Sequence, residues 1–338
     1  MRRGFVLPFV VVAIGAAGVL AFAFTGDALR AARAVLASGR GDDAGHLADA
    51  AMAAALARWT DDSSWVGAPG TGVLAAVTVG GVPVPIRWER HQPLIATLRV
   101  MHAERPERRW DWSRRDHWRA VWLEPPPLPV PAAIATNGAL QGALGVHIAG
   151  GDVALPGSAC GARRDTLGVP PVAASAVTGS GGGGWPSAPQ PLAPPTSLLA
   201  DVQTAMAVVA ARTPARASGP TPVTLPVTTG WQALRLRGER LAVVGPTRWQ
   251  GLLVAEGDLT LAGSIDVTGL LVVLGRLDAS AAQLTVQGAL VAVDTSARGV
   301  TLGGASRITF DRCAVEMALA TVARPSLAPF ALWHSLPY

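Results

Sequence analysis

Gly251-Leu252-Leu253-Val254 recurs as Gly269-Leu270-Leu271-Val272, and again as Gly288-Ala289-Leu290-Val291, at intervals of 18 and 19 residues. Between the copies, short apolar runs alternate with glycine or small polar residues, as in Asp258-Leu259-Thr260-Leu261, Ile265-Asp266-Val267-Thr268 and Leu284-Thr285-Val286. Alternation of this kind is a strand signal. A repeat of this length suits one coil of a parallel β-solenoid, with about six residues on each of three faces, apolar side chains stacked inward and glycine at the corners. The solenoid is expected over residues 231–316, with Leu241 to Val244 leading in, Val300 to Phe310 capping the end and residues 317–338 as a tail. An antiparallel sandwich with chance spacing is the competing reading, and the glycine-apolar phase held over three copies favours the solenoid.

Upstream, residues 131–230 are low in charge and irregular. Ala133 to Gly138 and Gly145 to Gly150 suit short strands. Gly179 to Gly184 and Pro186 to Pro195 suit a flexible linker. Gly181 to Gly184 is not a phosphate loop, because no Lys-Ser or Lys-Thr follows. After Pro194-Pro195 the run 196–212 predicts one amphipathic helix, capped by Thr196 or Ser197, with Leu198, Val202, Met206 and Val209 facing inward. Residues 60–130 predict a small antiparallel β module. Val73 to Val79 before Gly80-Gly81 suggests a strand and hairpin turn, and Leu94 to Val100 and Ala120 to Leu123 suggest further strands.

At the N-terminus, Met1-Arg2-Arg3-Gly4 precedes the uncharged run Phe5 to Phe24. Twenty apolar residues at a rise of about 1.5 Å match a bilayer core of about 30 Å. Two arginines before the run orient residues 1–4 to the cytoplasm. From Asp27 to Trp59 the chain has no proline and keeps Leu29, Leu36, Leu47, Leu56 and Trp59 roughly on one face. The expectation is therefore a single-pass inner-membrane protein with one long helix over residues 5–59, its bulk periplasmic or extracellular. A cleaved secretory signal ending at Ala21-Phe22-Ala23 is the competing possibility. The expected class is α+β: a long N-terminal transmembrane helix, a small antiparallel β module and a C-terminal parallel β-solenoid.

Arg2-Arg3-Gly4-Phe5-Val6-Leu7-Pro8 resembles the class III leader of type IV pilins. The resemblance implies a leader of residues 1–4, cleavage by a prepilin peptidase after Gly4 and methylation of Phe5. Most pilins carry glutamate at the fifth mature position; here it is Phe9, which resembles the pseudopilins placed at filament tips. The 251–310 repeats resemble bactofilin-like solenoids, and with Cys313-Ala314-Val315 they resemble the C-terminal regions of PilX-type pilus assembly proteins. These resemblances imply a structural, non-enzymatic minor-pilin or pseudopilin-like subunit. Its implied partners are other pilins and an inner-membrane assembly platform.

The whole chain has 338 residues, 50% hydrophobic and 15% charged, with a net charge of +5. All 28 basic residues are arginine. That charge is modest for the length, so a dedicated nucleic-acid binder is not the first expectation. Arg105 to Trp122 nevertheless interleaves arginine with tryptophan. Its candidate ligand surface is Arg108, Arg109, Trp110, Trp112, Arg114, Arg115 and Trp118, suited to DNA or an envelope polysaccharide. Glu104, Glu107, Asp111 and Asp116 dilute its positive field, and a solvated hairpin with arginines stacked on tryptophans is the plainer account. A membrane-anchored solenoid binding module is thus the alternative function.

No cofactor is expected. Six scattered histidines show no paired-ligand spacing, and no Gly-x-Ser-x-Gly elbow is present. Glu256, Asp258, Asp266 and Asp278 do not share one phase of the repeat, which argues against a polysaccharide-cleaving acid cluster. Cys160 and Cys313 are the two cysteines; they suit either structural thiols or a single disulfide.

Overall fold

Alternating apolar and polar residues run through both 82–124 and 232–310, but the chain turns differently in each. The first turns back at Pro93-Leu94 and pairs its strands antiparallel. Glycine corners in the second wind a parallel sheet. The structure is a computed structural model that describes residues 46–57, 70–79, 81–100, 117–152, 168–179, 192–217, 222–228 and 230–333. In chain order the elements are helix α1 (46–57) and strands β1 (Gly70–Val79), β2 (Val82–Gln92), β3 (Ile95–Val100), β4 (His117–Glu124), β5 (Ile134–Thr136), β6 (Ala139–Gly142), β7 (His147–Ala149), β8 (Val172–Ala173) and β9 (Ala176–Gly179). Helix α2 (Leu198–Ala210) follows, then β10 (Ala215–Ala217), β11 (Gln232–Val244), β12 (Thr247–Leu274), β13 (Leu277–Val293), β14 (Val300–Leu302), β15 (Arg307–Phe310), helix α3 (Arg312–Ala320) and β16 (Arg324–Trp333).

The five-stranded sheet has the order β1-β2-β3-β4-β16, with every described pairing antiparallel. Period-two alternation puts Val84, Ile86, Trp88, Ala96, Leu98, Val100, Val121 and Leu123 on one buried face. Helix α1 supplies Ala48, Ala51, Met52 and Ala55 to the same core, and Arg119 donates to Asp49 on it at 2.9 Å. Asp49 is half exposed, so this pair orients α1 more than it stabilises it. Gly72 is required on β1 because a Cβ there would lie 2.5 Å from the Trp88 indole.

In the solenoid, equivalent residues of successive coils stack in register. One ladder runs Leu241↔Leu259↔Leu277↔Val300↔Leu140↔Val177 through six coils. A second joins Leu271↔Leu290↔Ile134↔Val172, and a third Val267↔Val286↔Ile308↔Ile148. Each fully buried leucine or isoleucine contributes about 1.5–3 kcal/mol by leaving water. Chain order and stacking order differ. Residues 134–149 and then 172–179 stack beyond the 288–310 coil, although they precede it in sequence. The region that looks irregular in the sequence therefore supplies coils, and Val300 to Phe310 forms an interior coil rather than a cap.

Two helices make this order possible. α2 buries Leu198, Val202, Ala205, Met206 and Val209. It leads from the Leu192 end back to the β10 end, and at about 20 Å long it covers about four rungs of the stack. Arg235 on β11 anchors its C-terminal end by donating to Thr213 O at 2.9 Å, while pairing with Glu256 at 2.5 Å. α3 is capped by Asp311, whose carboxylate accepts from Ala314 N at 3.0 Å. It lies on β12 where Gly269 keeps the corner flat, a Cβ there falling 3.1 Å from Ala318 Cβ. The chain then returns to pair β16 with β4.

Two expectations are corrected. The class is mainly β rather than α+β: the described helices are α1, α2 and α3, all short, and strands form the rest of the regular structure. Among the described residues no helix is long and apolar enough to cross a membrane, which overturns the expected transmembrane helix and the single-pass inner-membrane anchor. Of the span 5–59 only 46–57 is described as helix, and its apolar stripe is consumed by the sheet; residues 1–45 lie outside the described residues.

The corner glycines give a direct test of coil stacking. Gly288 has φ +135° and a Cβ there would sit 1.8 Å from Gly269 O. Gly288→Ala is expected to cost about 2–5 kcal/mol in denaturant unfolding. Gly81→Ala, at φ +82° with nothing within 4 Å, is expected to cost about 1–2 kcal/mol.

Candidate functional site

Strand β4 sorts its residues by parity. Arg119, Val121 and Leu123 point to α1, so Trp118, Ala120 and Trp122 occupy the opposite face of the sheet. Register places Arg99 beside Trp118 and Arg87 beside Arg99, giving one row across β2, β3 and β4. The Arg99 guanidinium lies 4.8 Å from the Trp118 ring centroid, a cation–π stack. Trp122 is 51% exposed and Val73, beside Arg87, is 64% exposed. Between the two tryptophans lie only Ala120 and its neighbour Thr97, whose hydroxyl is 3.0 Å from His91 Nε2. The acids of this face are engaged: Glu89 sits 3.8 Å from His91, and Glu124 accepts the Ser326 hydroxyl at 3.1 Å.

Of the sequence-predicted surface, Trp118 alone is described, on this open face. Arg108, Arg109, Trp110, Trp112, Arg114 and Arg115 lie outside the described residues, as do Gly4, Phe5 and Cys160. Arg87, Arg99 and Trp122 were missed as a group because they sit on three strands. Alternation within Val82–Gln92 and His117–Glu124 carried the signal, since it assigns Arg87, Trp118 and Trp122 to the face away from Ile86 and Val121.

The solenoid acids hold coils together. Arg298 donates to both Asp258 oxygens at 2.7 and 2.8 Å, and to Asp294 at 2.6 Å. Asp258 also accepts from Arg276 N, and Asn137 exchanges hydrogen bonds with the Asp294 backbone at 2.7 and 3.0 Å. This staple runs down one edge through four coils. The Arg298 side chain, then burial working against it, sets the Asp294 carboxyl, and the net effect is a pKa below the usual carboxylate range. The Ser280 hydroxyl does the same for Asp278. Glu256 is bound by Arg235, so three of the four acids noted in the repeat serve as structural acceptors. Among the described residues no group of three or more His, Cys, Asp or Glu could hold a metal.

Cys313 is buried in α3 and is disulfide-bonded. The chain's only other cysteine is Cys160. Comparison with family models, with curated proteins and with solved structures found no match, so no pilin family model supports the leader resemblance.

Because Asp294 has a depressed folded-state pKa, its stabilisation is full above the unfolded value near pH 4 and is lost as pH falls through the folded value. Arg298→Ala is expected to lower stability at neutral pH and to flatten the acid limb below about pH 4, read by urea unfolding across pH. A non-reducing digest is expected to yield one cross-linked peptide containing Cys160 and Cys313. Reduction is expected to destabilise the fold by about 4–5 kcal/mol in the chain-entropy picture.

Proposed function

We propose that this chain is a structural, non-enzymatic subunit of the minor-pilin kind, which acts by assembling with other subunits. The observation that carries this is the helix-on-sheet module, in which α1 lies on an antiparallel sheet whose last strand, β16, arrives from beyond the solenoid. The solenoid is thus a large insertion between two neighbouring strands, suited to projecting from an assembly. The outward side of α1 carries Ala50, Ala53 and Ala57. Such small residues let a second helix approach closely. The engagement of Glu256, Asp258 and Asp278 in ion pairs and turns supports a scaffold role for the solenoid.

The Gly4-Phe5 leader resemblance supplies the processing step: a prepilin peptidase cuts between these residues, and partner subunits and an assembly platform receive the product. Phe9, in place of the usual glutamate, supports a tip or priming position.

Intact-mass and peptide mass spectrometry of the mature protein tests this. A chain beginning at N-methylated Phe5 is expected. A chain beginning at Phe24, or an intact Met1, overturns it.

A further inference from the structure

The coils at 134–149 and 172–179 lie toward one end of the stack, and the junction that holds them is made across sequence rather than along it. β5, β6 and β7 pair with β13, β14 and β15. At the corner between β5 and β6 stands Asn137, the chain's one asparagine, followed by Gly138. Its amide nitrogen donates to Asp294 O at 2.7 Å and its side-chain carbonyl accepts from Asp294 N at 3.0 Å, across 157 residues of chain. A stacked array opens most readily at its ends, where coils have fewer neighbours to hold them.

An Asn-Gly pair carries its own chemistry. The glycine nitrogen attacks the asparagine side-chain carbonyl carbon, ammonia leaves, and the resulting cyclic imide takes up water. The products are aspartate and its isomer, in which the main chain runs through the side-chain carbon. In the docked coil both reactants are engaged: the Gly138 N–H donates to Thr136 Oγ1 at 3.1 Å, and both ends of the Asn137 amide are held by the Asp294 backbone. Both products misfit the dock. Aspartate has no amide donor, so one of its oxygens faces Asp294 O, acceptor against acceptor. The isomer adds a carbon to the main chain at a corner where even a Cβ on Gly138 would lie 2.5 Å from Ala297 O. We propose that Asn137-Gly138 is a self-modification site that makes opening of these coils permanent. Docked, the pair is inert. When the coils lift, the amide is released and cyclises, water opens the ring, and the altered corner no longer seats against the Asp294 turn.

The test is peptide mass spectrometry of the full chain aged at mildly alkaline pH, which follows loss of the Asn137 amide. The folded chain is expected to lose it at least about tenfold more slowly than the chain in urea. Ile148 is buried in β7 and stacks on Ile308, whereas Ile86 is buried in the five-stranded sheet. Ile148→Val is expected to speed the folded reaction about 2- to 10-fold, and Ile86→Val to leave it unchanged. Hydrogen exchange then reads the product. Chain aged in urea and refolded is expected to exchange faster at 134–149 and 172–179 than fresh chain treated the same way, with β2 and β3 as protected as before. Should the aged chain not refold, Asn137→Asp, made directly, is expected to show the same pattern to a lesser degree. Equal loss in the folded chain and in urea overturns the proposal. So does an Ile148→Val rate no greater than that of Ile86→Val, which puts the reaction outside these coils. Exchange in the aged chain, or in Asn137→Asp where that replaces it, no faster than in fresh chain overturns it as well.

Discussion

Parallel coils demand that each residue sit directly over its counterpart one turn away, about 4.8 Å along the axis. Everything else in the molecule accommodates that demand. It selects a leucine or valine at each rung of the Leu241–Val177 ladder, since a polar group there would be buried without a partner. It also selects glycine at the corner row of Gly251, Gly269 and Gly288, whose φ values near +130° are closed to other residues. The bare corner then becomes a docking surface, and α3 settles on it with alanines. α2 meets the same demand from outside: coils that stack out of chain order need a connection running back along the stack.

How much of this was legible in the sequence depends on where the information lies. The 251–310 coils were legible because their glycines recur almost in phase, so the period survives as a pattern in one dimension. α2 was legible in its inward residues, because its stripe is local and bounded by prolines. The coils at 134–149 and 172–179 were legible at most as isolated strands. Their strands are two to four residues long; β5, β6 and β7 stack on partners more than a hundred residues downstream, and β8 and β9 stack on β5 and β6 almost forty residues upstream, so no adjacent repeat marks them. β2 is the return strand that the Gly80-Gly81 turn implies, but Pro83, Pro85 and its charged residues left it undelimited until the alternation of Val84, Ile86 and Trp88 is followed. The class was misjudged because the helical run was given the weight of a core element, while the described part of it, α1, is a short amphipathic helix serving a sheet.

The polar residues divide by task. In the solenoid, arginine is a fastener: Arg298 spans from Asp258 to Asp294 and Arg235 ties α2 to Glu256. The planar fork explains why one side chain can hold two carboxylates on different coils. On the five-stranded sheet the same residue type serves other ends: Arg119 holds Asp49 of α1, and Arg99 stacks on Trp118. No one-dimensional count of charge separates the two uses. Only the coil register and the strand parity do, and for that reason Arg87 and Arg99 were not singled out while the conspicuous run after Arg105 was.

β4 and β16 are neighbours in the sheet, yet the entire solenoid is synthesised between them. As the chain emerges from the ribosome, the β4 edge therefore waits uncovered until the solenoid has been made and Arg324–Trp333 appears. A truncated product would display that edge to any chaperone or protease. The closing strand thus acts as a seal, set only once the intervening solenoid has been made.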